Sequence, residues 1–229
     1  LERYWAAHTY HSGKKIADMP KIRKALAAEV GKYGLEFLQT EWCLLPNYNQ
    51  KNSDGFSADR FSDNNGDIQA ALCMGRLITA DLSIAQSRGW GYWKGMEVKG
   101  DFALTGVYPK DGKLESGGVV RDNKILWALG NWSFFVRPGF KRVEISGADD
   151  LAKVSSSAFV SPDGKRVVAV FVNSSYESYP AKFKGELADK EFTVYKTDSN
   201  SSLAKIAESL SGGFTFTPRS ITTLVWDLK

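Results

Sequence analysis

Residues 35–43, Leu-Glu-Phe-Leu-Gln-Thr-Glu-Trp-Cys, combine the apolar pattern of a buried strand with an acid at its end. The two-residue period of a strand puts Leu35, Phe37, Gln39 and Glu41 on one face. Because apolar strands rarely carry an unused acid at an inward position, Glu41 is a candidate catalytic residue. The pattern leaves one alternative open, a buried acid paired with an arginine or with a helix dipole.

The chemistry that suits a carboxylate at a strand end is glycoside hydrolysis. Enzymes with a parallel (β/α)8 barrel hold their catalytic groups at the carboxyl ends of the strands. Hydrolysis of a glycosidic bond uses two carboxyl groups, and in a retaining enzyme one of them is the nucleophile. Glu41 has the position that such a nucleophile needs.

His8 and Tyr10 lie two residues apart on the first strand-like segment, residues 3–11. Both side chains could point toward the same site as Glu41. A tyrosine can donate a hydrogen bond to a nucleophilic carboxylate and favour its charged form, and a histidine can bind a sugar hydroxyl. The alternative for isolated residues is a core histidine and a packing tyrosine.

Trp90 and Trp93 belong to the aromatic segment 89–93, Gly-Trp-Gly-Tyr-Trp, which we interpret as a short strand. An indole at a strand end could stack on a sugar ring, although a packed aromatic cluster is the alternative. Three residues apart, the two rings face opposite sides of a strand, and Trp90 lies nearer the strand centre. Trp90 is therefore the candidate sugar-binding residue.

Helical and strand-like segments alternate through the first part of the chain. A first helix is predicted from Asp18-Met19-Pro20 to Gly34, with Ile22, Leu26, Val30 and Tyr33 inward. A second helix is predicted from Asp67 through Ala85, and a third over residues 123–136. The buried face of the second helix is predicted to consist of Ile68, Ala71, Leu72, Gly75, Ile78, Leu82 and Ala85. A long polar loop, residues 46–66, follows Glu41, and another loop is expected between the aromatic segment and Asp122.

Beyond residue 139 the pattern changes to short strands, which are typical of an antiparallel β-sandwich. They are predicted at residues 142–145, 158–160, 167–172, 192–195 and 221–226, with a turn at residues 162–164 and a possible helical turn near residues 203–206. The fold class is therefore α/β followed by all-β. The predicted domains are residues 1–137 and 138–229.

The composition of the 229 residues is that of a globular protein, with 43% hydrophobic residues and a net charge of +4. Lysine and arginine are scattered, so nucleic-acid binding is not expected, and no apolar run is long enough to cross a membrane. Cys43 and Cys73 form neither a metal motif nor a disulfide framework; we expect Cys43 near the core's mouth and Cys73 inside a helix. No zinc motif, phosphate loop or nucleophile elbow is found, and no metal or cofactor is expected.

Four segments, in this order, resemble glycoside hydrolase family 30, a retaining family with a (β/α)8 barrel and a β-sandwich side domain. Residues 7–10 (Ala-His-Thr-Tyr) look like its sixth barrel strand, and residues 38–43 (Leu-Gln-Thr-Glu-Trp-Cys) look like the seventh. Residues 81–93 are similar to its seventh helix and eighth strand. Residues 126–139 are similar to its last helix and the exit into the sandwich, which is the most specific match.

The resemblance implies that Glu41 is the nucleophile and that His8, Tyr10 and Trp90 line the sugar subsite. It implies strands six to eight of the barrel in residues 1–137, a carbohydrate substrate and export from the cytoplasm. The motif and the loop after it look most like the endo-β-1,6-galactanase type, so galactan is the expected substrate, with xylan or glucan as alternatives.

The chain departs from the family in lacking a counterpart of strands one to five and of the acid/base glutamate on strand four. Asp59, Asp63 and Asp67 look like solvated or capping residues and do not replace it. We therefore expect the C-terminal part of a larger enzyme, inactive alone, with the N-terminal barrel half as its partner. The alternative function is a non-catalytic carbohydrate-binding or interaction module.

Overall fold

The computed structural model describes residues 3–10, 15–43, 68–99 and 103–228. Contacts divide the chain into two compact units, residues 1–126 and 127–229, and each is described by itself. The predicted polar loop, residues 46–66, and the predicted helix cap Asp67 lie outside the described residues.

The first unit begins with two parallel strands, each followed by a helix. Strand β1 (Tyr4–His8) leads to helix α1 (Met19–Lys32), and strand β2 (Glu36–Glu41) precedes helix α2 (Ile68–Ser83). β1 and β2 pair in parallel, from Tyr4 opposite Glu36 onward. This strand and helix alternation agrees with the sequence-based prediction.

The aromatic segment 89–93 continues this order, although it does not form the regular strand that we predicted. A single parallel bridge joins Trp90 to Gln39. Backbone hydrogen bonds nevertheless follow β2: the amide of Arg88 donates to Phe37, and that of Trp93 donates to Trp42. The segment therefore runs beside β2 as an irregular third strand.

The buried face of α1 differs from the predicted one. Val30 is buried and packs with Phe37 and Ala85 in a small apolar cluster, but Ile22 and Tyr33 are 38% and 62% exposed. Arg23 is fully buried instead. The helix is therefore rotated from the apolar stripe so that an arginine faces inward, where it meets a charged partner described below.

Helix α2 is buried around its whole circumference, whereas the sequence predicted a single inward face. Every residue from Ala70 to Asp81 is buried, including Arg76 and Thr79. Cys73 lies in this helix, as expected, and both Cys73 and Cys43 are free and buried. No helix among the described residues has the length and apolar character needed to cross a membrane.

A three-stranded sheet occupies the region that we expected to be a loop. It contains β3 (Met96–Val98), β4 (Thr105–Pro109) and β5 (Gly118–Asp122), in that order across the sheet. β3 and β4 are parallel, and β4 and β5 are antiparallel. The prediction was wrong here because these strands are short and largely exposed, so they lack an apolar alternation.

The second unit is built on a six-stranded antiparallel sheet with the order β11-β10-β13-β8-β7-β6, beside a two-stranded sheet of β9 and β12. Its strands are β6 (Lys141–Val143), β7 (Val154–Val160), β8 (Arg166–Asn173), β9 (Tyr179–Lys182), β10 (Phe192–Thr197), β11 (Ala204–Leu210), β12 (Gly213–Phe216) and β13 (Ser220–Asp227). The five strands predicted from the sequence correspond to β6, β7, β8, β10 and β13. The helical turn predicted near residues 203–206 is wrong, because that segment begins β11.

The two faces of the large sheet have different chemistry. On one face an aromatic and aliphatic core includes Phe171, Phe192 and Trp226, with Phe216 of β12 packed against it. Side chains at alternate positions point to the other face. That face is also buried but mixed, and it carries Val168, Val170 and Val172 together with the polar residues Ser157, Thr197 and Thr223.

Helix α3 (Lys124–Ser133) makes hydrogen bonds to the polar residues of this mixed face. The Asn131 amide donates to Thr197 Oγ1 at 2.9 Å, and its carbonyl accepts a hydrogen bond from the Thr223 hydroxyl at 2.9 Å. The indole of Trp132 donates to Ser157 at 2.8 Å. Most of α3 thus belongs to the second compact unit. The domain boundary between residues 137 and 138 stays a prediction.

Candidate active site

The candidate site is built where β1 and β2 end side by side. Ala7 pairs with Gln39, but His8 pairs with Glu41, so the register skips Thr40. A bulge of this kind bends a strand and redirects the side chain that follows it. The strict two-residue alternation that was predicted for Gln39 and Glu41 is therefore interrupted just before the acid.

Glu41 contacts two side chains from the segment that ends β1. The phenol of Tyr10 donates a hydrogen bond to Glu41 Oε1 at 2.8 Å. His8 Nδ1 lies 3.6 Å from the same oxygen, and the His8 and Tyr10 rings meet edge to face. The Glu41 side chain is one-third exposed, at 33%, so the carboxylate is held by neighbours while remaining open to solvent.

Tyr10 is a proton donor over an extended pH range. Burial raises the pKa of its phenol, and the hydrogen bond to Glu41 raises that pKa further, because the bond is made by the protonated form. Tyr10 also contacts Cys43, with its phenolic oxygen 3.7 Å from Sγ. Burial raises the pKa of the Cys43 thiol, which fits a structural thiol beside the site.

Trp90 is half-buried, and its indole nitrogen is already engaged. Nε1 donates to Asp81 Oδ2 at 2.9 Å. The ring stacks on Tyr92 with centroids 6.4 Å apart and also contacts Trp42 at 6.2 Å. Its nitrogen is therefore committed to a structural bond, and only its ring surface can contribute to ligand binding.

Asp81 is the centre of a buried polar network that the sequence did not predict. Both Asp81 and Arg23 are fully buried, and Arg23 Nε lies 2.5 Å from Asp81 Oδ1. The hydroxyl of Thr9 donates to Asp81 Oδ2 at 3.4 Å. Burial raises the pKa of Asp81, while the Arg23 guanidinium and the hydrogen bonds oppose this effect.

Gln39 connects the same network to the aromatic segment. Its side-chain nitrogen donates to Thr9 Oγ1 at 3.3 Å, and its side-chain oxygen accepts from the Gly91 amide at 3.0 Å. A Cβ atom on Gly91 would lie 2.4 Å from the carbonyl oxygen of Thr40. Only glycine allows the aromatic segment to approach β2 this closely.

Trp93 is a further candidate for sugar binding, although the strand period favoured Trp90. Its backbone amide bonds to the carbonyl of Trp42, the residue after Glu41, at 2.9 Å. The side chain is 43% exposed, and Lys94 Nζ lies 4.9 Å from the ring centroid. An exposed indole on a segment bonded to the residue after Glu41 can offer a flat apolar surface to a ligand.

The structure brings three of the four predicted site residues, Glu41, His8 and Tyr10, into contact. Trp90 lies on the neighbouring segment and is linked to them through Asp81 and Thr9. No local pattern predicted this network, because Arg23 and Asp81 each lie off the apolar stripe of their own helix. Within the described residues, no group of three or more His, Cys, Asp or Glu side chains is arranged to hold a metal.

Comparison with family models gives two matches. The model described as O-Glycosyl hydrolase family 30 matches residues 1–104. The model described as Glycosyl hydrolase family 30 beta sandwich domain matches residues 139–224. The two matches lie in the order of the two parts of the chain, and the second agrees with the antiparallel sheets of the second unit.

Solved structures similar to this chain include a conserved exported protein from Bacteroides fragilis, with 27% identity, a TM-score of 0.82, and 98% of this chain and 46% of that chain covered. A family 30 endoxylanase from Clostridium papyrosolvens is 20% identical, with a TM-score of 0.68. The match covers 98% of this chain and 48% of the endoxylanase. The catalytic domain of xylanase C from Talaromyces cellulolyticus is 24% identical, with a TM-score of 0.65. The match covers 84% of this chain and 41% of that domain. This chain spans less than half the length of each of the three.

Proposed function

Because this chain belongs to glycoside hydrolase family 30, we propose that it is part of a retaining β-glycosidase in which Glu41 is the nucleophile. The observation that carries the proposal is the hydrogen bond from Tyr10 to Glu41 at the adjoining ends of two parallel strands. A hydroxyl that donates a hydrogen bond to a partly exposed carboxylate is the arrangement expected for a nucleophile. It is not the arrangement of an acid neutralised by an arginine.

In the proposed reaction, Glu41 attacks the anomeric carbon and forms a covalent glycosyl-enzyme, which water then hydrolyses. Tyr10 and His8 both approach Oε1, so we assign the attack to Oε2. The leaving group needs a proton from a second carboxyl group, which then activates the water. No described residue is assigned to that second role.

The proposed barrel explains the order of elements in the first unit. β1, β2 and the aromatic segment would be its sixth, seventh and eighth strands, with α1 and α2 between them. β1 exposes Tyr4 and Trp5, and among the described residues it pairs with β2 alone. We propose that the N-terminal half of the barrel pairs along this open edge and carries the acid/base.

The proposed ligand is a β-linked polysaccharide or oligosaccharide, bound by His8, Tyr10 and the ring of Trp90, with Trp93 as an additional stacking surface. The sequence around Glu41 favours β-1,6-galactan. Two similar structures are xylanases, so xylan is the next substrate to test, followed by glucan. The similarity to an exported protein supports export of this protein too.

The experiment that tests the proposal is an assay of the protein in its full natural length on β-1,6-galactan, xylan and β-glucan in parallel. Proton NMR of the first product identifies the anomer that is released. Release of the β-anomer first supports a retaining mechanism. Release of the α-anomer first, or no hydrolysis of any of the three polysaccharides, contradicts the proposal.

A further inference from the structure

One fully buried carboxylate touches three segments of the first unit. Asp81 extends from α2 and receives Arg23 from α1 on Oδ1. Its other oxygen, Oδ2, accepts bonds from Trp90 on the aromatic segment and from Thr9 just beyond β1. Few side chains in a small domain connect this many elements, and a buried charge is retained at a cost unless every partner is in place.

The partners of Asp81 are the immediate neighbours of the site residues. Thr9 lies between His8 and Tyr10, the two residues that contact Glu41. Thr9 in turn accepts a bond from Gln39, which lies two residues before Glu41. The network therefore joins the two segments that flank β2, the strand that ends with Glu41.

The two carboxylate oxygens of Asp81 bind different partners. Oδ1 neutralises the buried guanidinium of Arg23, and Oδ2 orients Trp90 and Thr9. A neutral amide at this position could keep an oxygen toward Arg23, but its nitrogen would then face the indole N–H, donor against donor. The orientation of Trp90 depends on the charge of Asp81 as well as on its shape.

We propose that Asp81, charge-paired with Arg23, is a positioning residue of the site, and that it acts through Trp90 and Thr9. This inference rests on the proposed function, since it assigns Trp90 and the His8 to Tyr10 segment to ligand binding. Asp81 touches no ligand in this role. It fixes the Trp90 ring and the backbone that carries His8 and Tyr10.

The test has two arms, and the first needs no activity. The indole N–H resonance of Trp90 is identified in a ¹H–¹⁵N spectrum by its disappearance in Trp90→Phe. In Asp81→Asn we expect the Trp90 indole resonance to move upfield, because its charged acceptor is lost. We also expect the ring resonances of His8 and Tyr10 to change position. Thr79→Val, which replaces another buried polar group on α2, is the control and should leave all three in place.

The second arm is a double-mutant cycle on the full-length protein, which separates positioning from general destabilisation. We expect Asp81→Asn to raise KM for the substrate about tenfold or more, within the range for residues that orient a site. In the Trp90→Phe background, where the indole N–H is already absent, the same change should raise KM by less than about threefold. An equal factor in both backgrounds would overturn the proposed route through Trp90.

The two arms distinguish the two proposals. If the unaltered protein hydrolyses none of the polysaccharides but the Trp90, His8 and Tyr10 resonances move in Asp81→Asn, the proposed function fails and the positioning role stands. Unmoved resonances overturn the positioning role whatever the activity. If Asp81→Asn does not fold, Thr9→Val is measured instead, and it must shift the His8 and Tyr10 resonances for the proposal to survive.

Discussion

The phenolic oxygen of Tyr10 lies 2.8 Å from Oε1 of Glu41, although Tyr10 follows β1 and Glu41 ends β2, 31 positions apart in the sequence. Parallel pairing of β1 and β2 brings the two strand ends together, and the register shift at Thr40 brings His8 opposite the acid. The contact therefore arises from strand geometry and not from a local motif. It is the basis of the first three predictions.

In the full-length protein, replacing Glu41 with glutamine should abolish turnover while leaving the fold intact. The side chain keeps its size but loses the charge that attacks the anomeric carbon, so kcat should fall by about 10⁴-fold or more. A 2-fluoro glycoside should label Glu41 in the unaltered protein, and peptide mass spectrometry would locate the label. Sugar binding without turnover in the unaltered protein, unchanged by Glu41→Gln, together with no labelling at Glu41, would favour a carbohydrate-binding module instead.

Replacing Tyr10 with phenylalanine removes one donor to the carboxylate and leaves the ring. A hydrogen bond to a charged group contributes about 1.5–3 kcal/mol, so kcat should fall about tenfold to hundredfold with KM little changed. Tyr33→Phe, at the end of α1 and 62% exposed, is the matched control and should retain full activity. A Tyr10→Phe protein with unaltered kcat would remove the hydrogen bond from the mechanism.

The raised pKa of Tyr10 also predicts how stability changes at high pH. In the unfolded chain a tyrosine releases its proton near pH 10, whereas native Tyr10 retains it to higher pH. The native state then binds more protons than the unfolded state, so the free energy of unfolding should fall as pH rises above about 10. Urea denaturation at pH 9 and pH 11 measures the fall, which should be smaller in Tyr10→Phe. An equal fall in both proteins would contradict the assignment.

Trp93 should contribute more to sugar binding than its sequence position suggested. Its indole is 43% exposed, and covering a side chain of this size contributes about 1.5–3 kcal/mol. Trp93→Ala should therefore raise KM about tenfold or more, as measured by initial rates over a range of substrate concentrations. Tyr176→Ala, which removes an aromatic ring of 82% exposure from the second unit, should leave KM unchanged. Equal effects of the two changes would argue against a specific role.

The parts of the site that the sequence predicted are those that follow from strand period and position. Glu41 ends an apolar strand, and His8 and Tyr10 end its neighbour, so parallel pairing is enough to bring them together. Arg23 and Asp81 lie 58 residues apart on two helices, and each looks like an ordinary charged residue in its own helix. Their pairing depends on how α1 and α2 pack, which no local pattern encodes.

Strand β11, which the sequence did not predict, also depends on tertiary pairing that no local pattern encodes. β11 has the sequence Ala-Lys-Ile-Ala-Glu-Ser-Leu, which consists largely of good helix formers, and its side chains are mostly exposed. It is nevertheless a strand because it pairs with the edge of β10. In β8 and β13, by contrast, nearly every side chain is buried, and their apolar runs predicted them almost to the residue.

Gly91 provides a test of the packing between the aromatic segment and β2. In Gly91→Ala the new methyl group would lie 2.4 Å from the Thr40 carbonyl oxygen, a backbone atom that cannot rotate away. We expect a loss of about 1–3 kcal/mol in the free energy of unfolding, measured by urea denaturation, and a larger proportional loss of activity because Thr40 adjoins Glu41. Gly95→Ala is the matched control: it lies four residues further along, and its Cβ would meet no atom within 4 Å. Equal stability of the two variants would show that the aromatic segment does not pack against β2 as described.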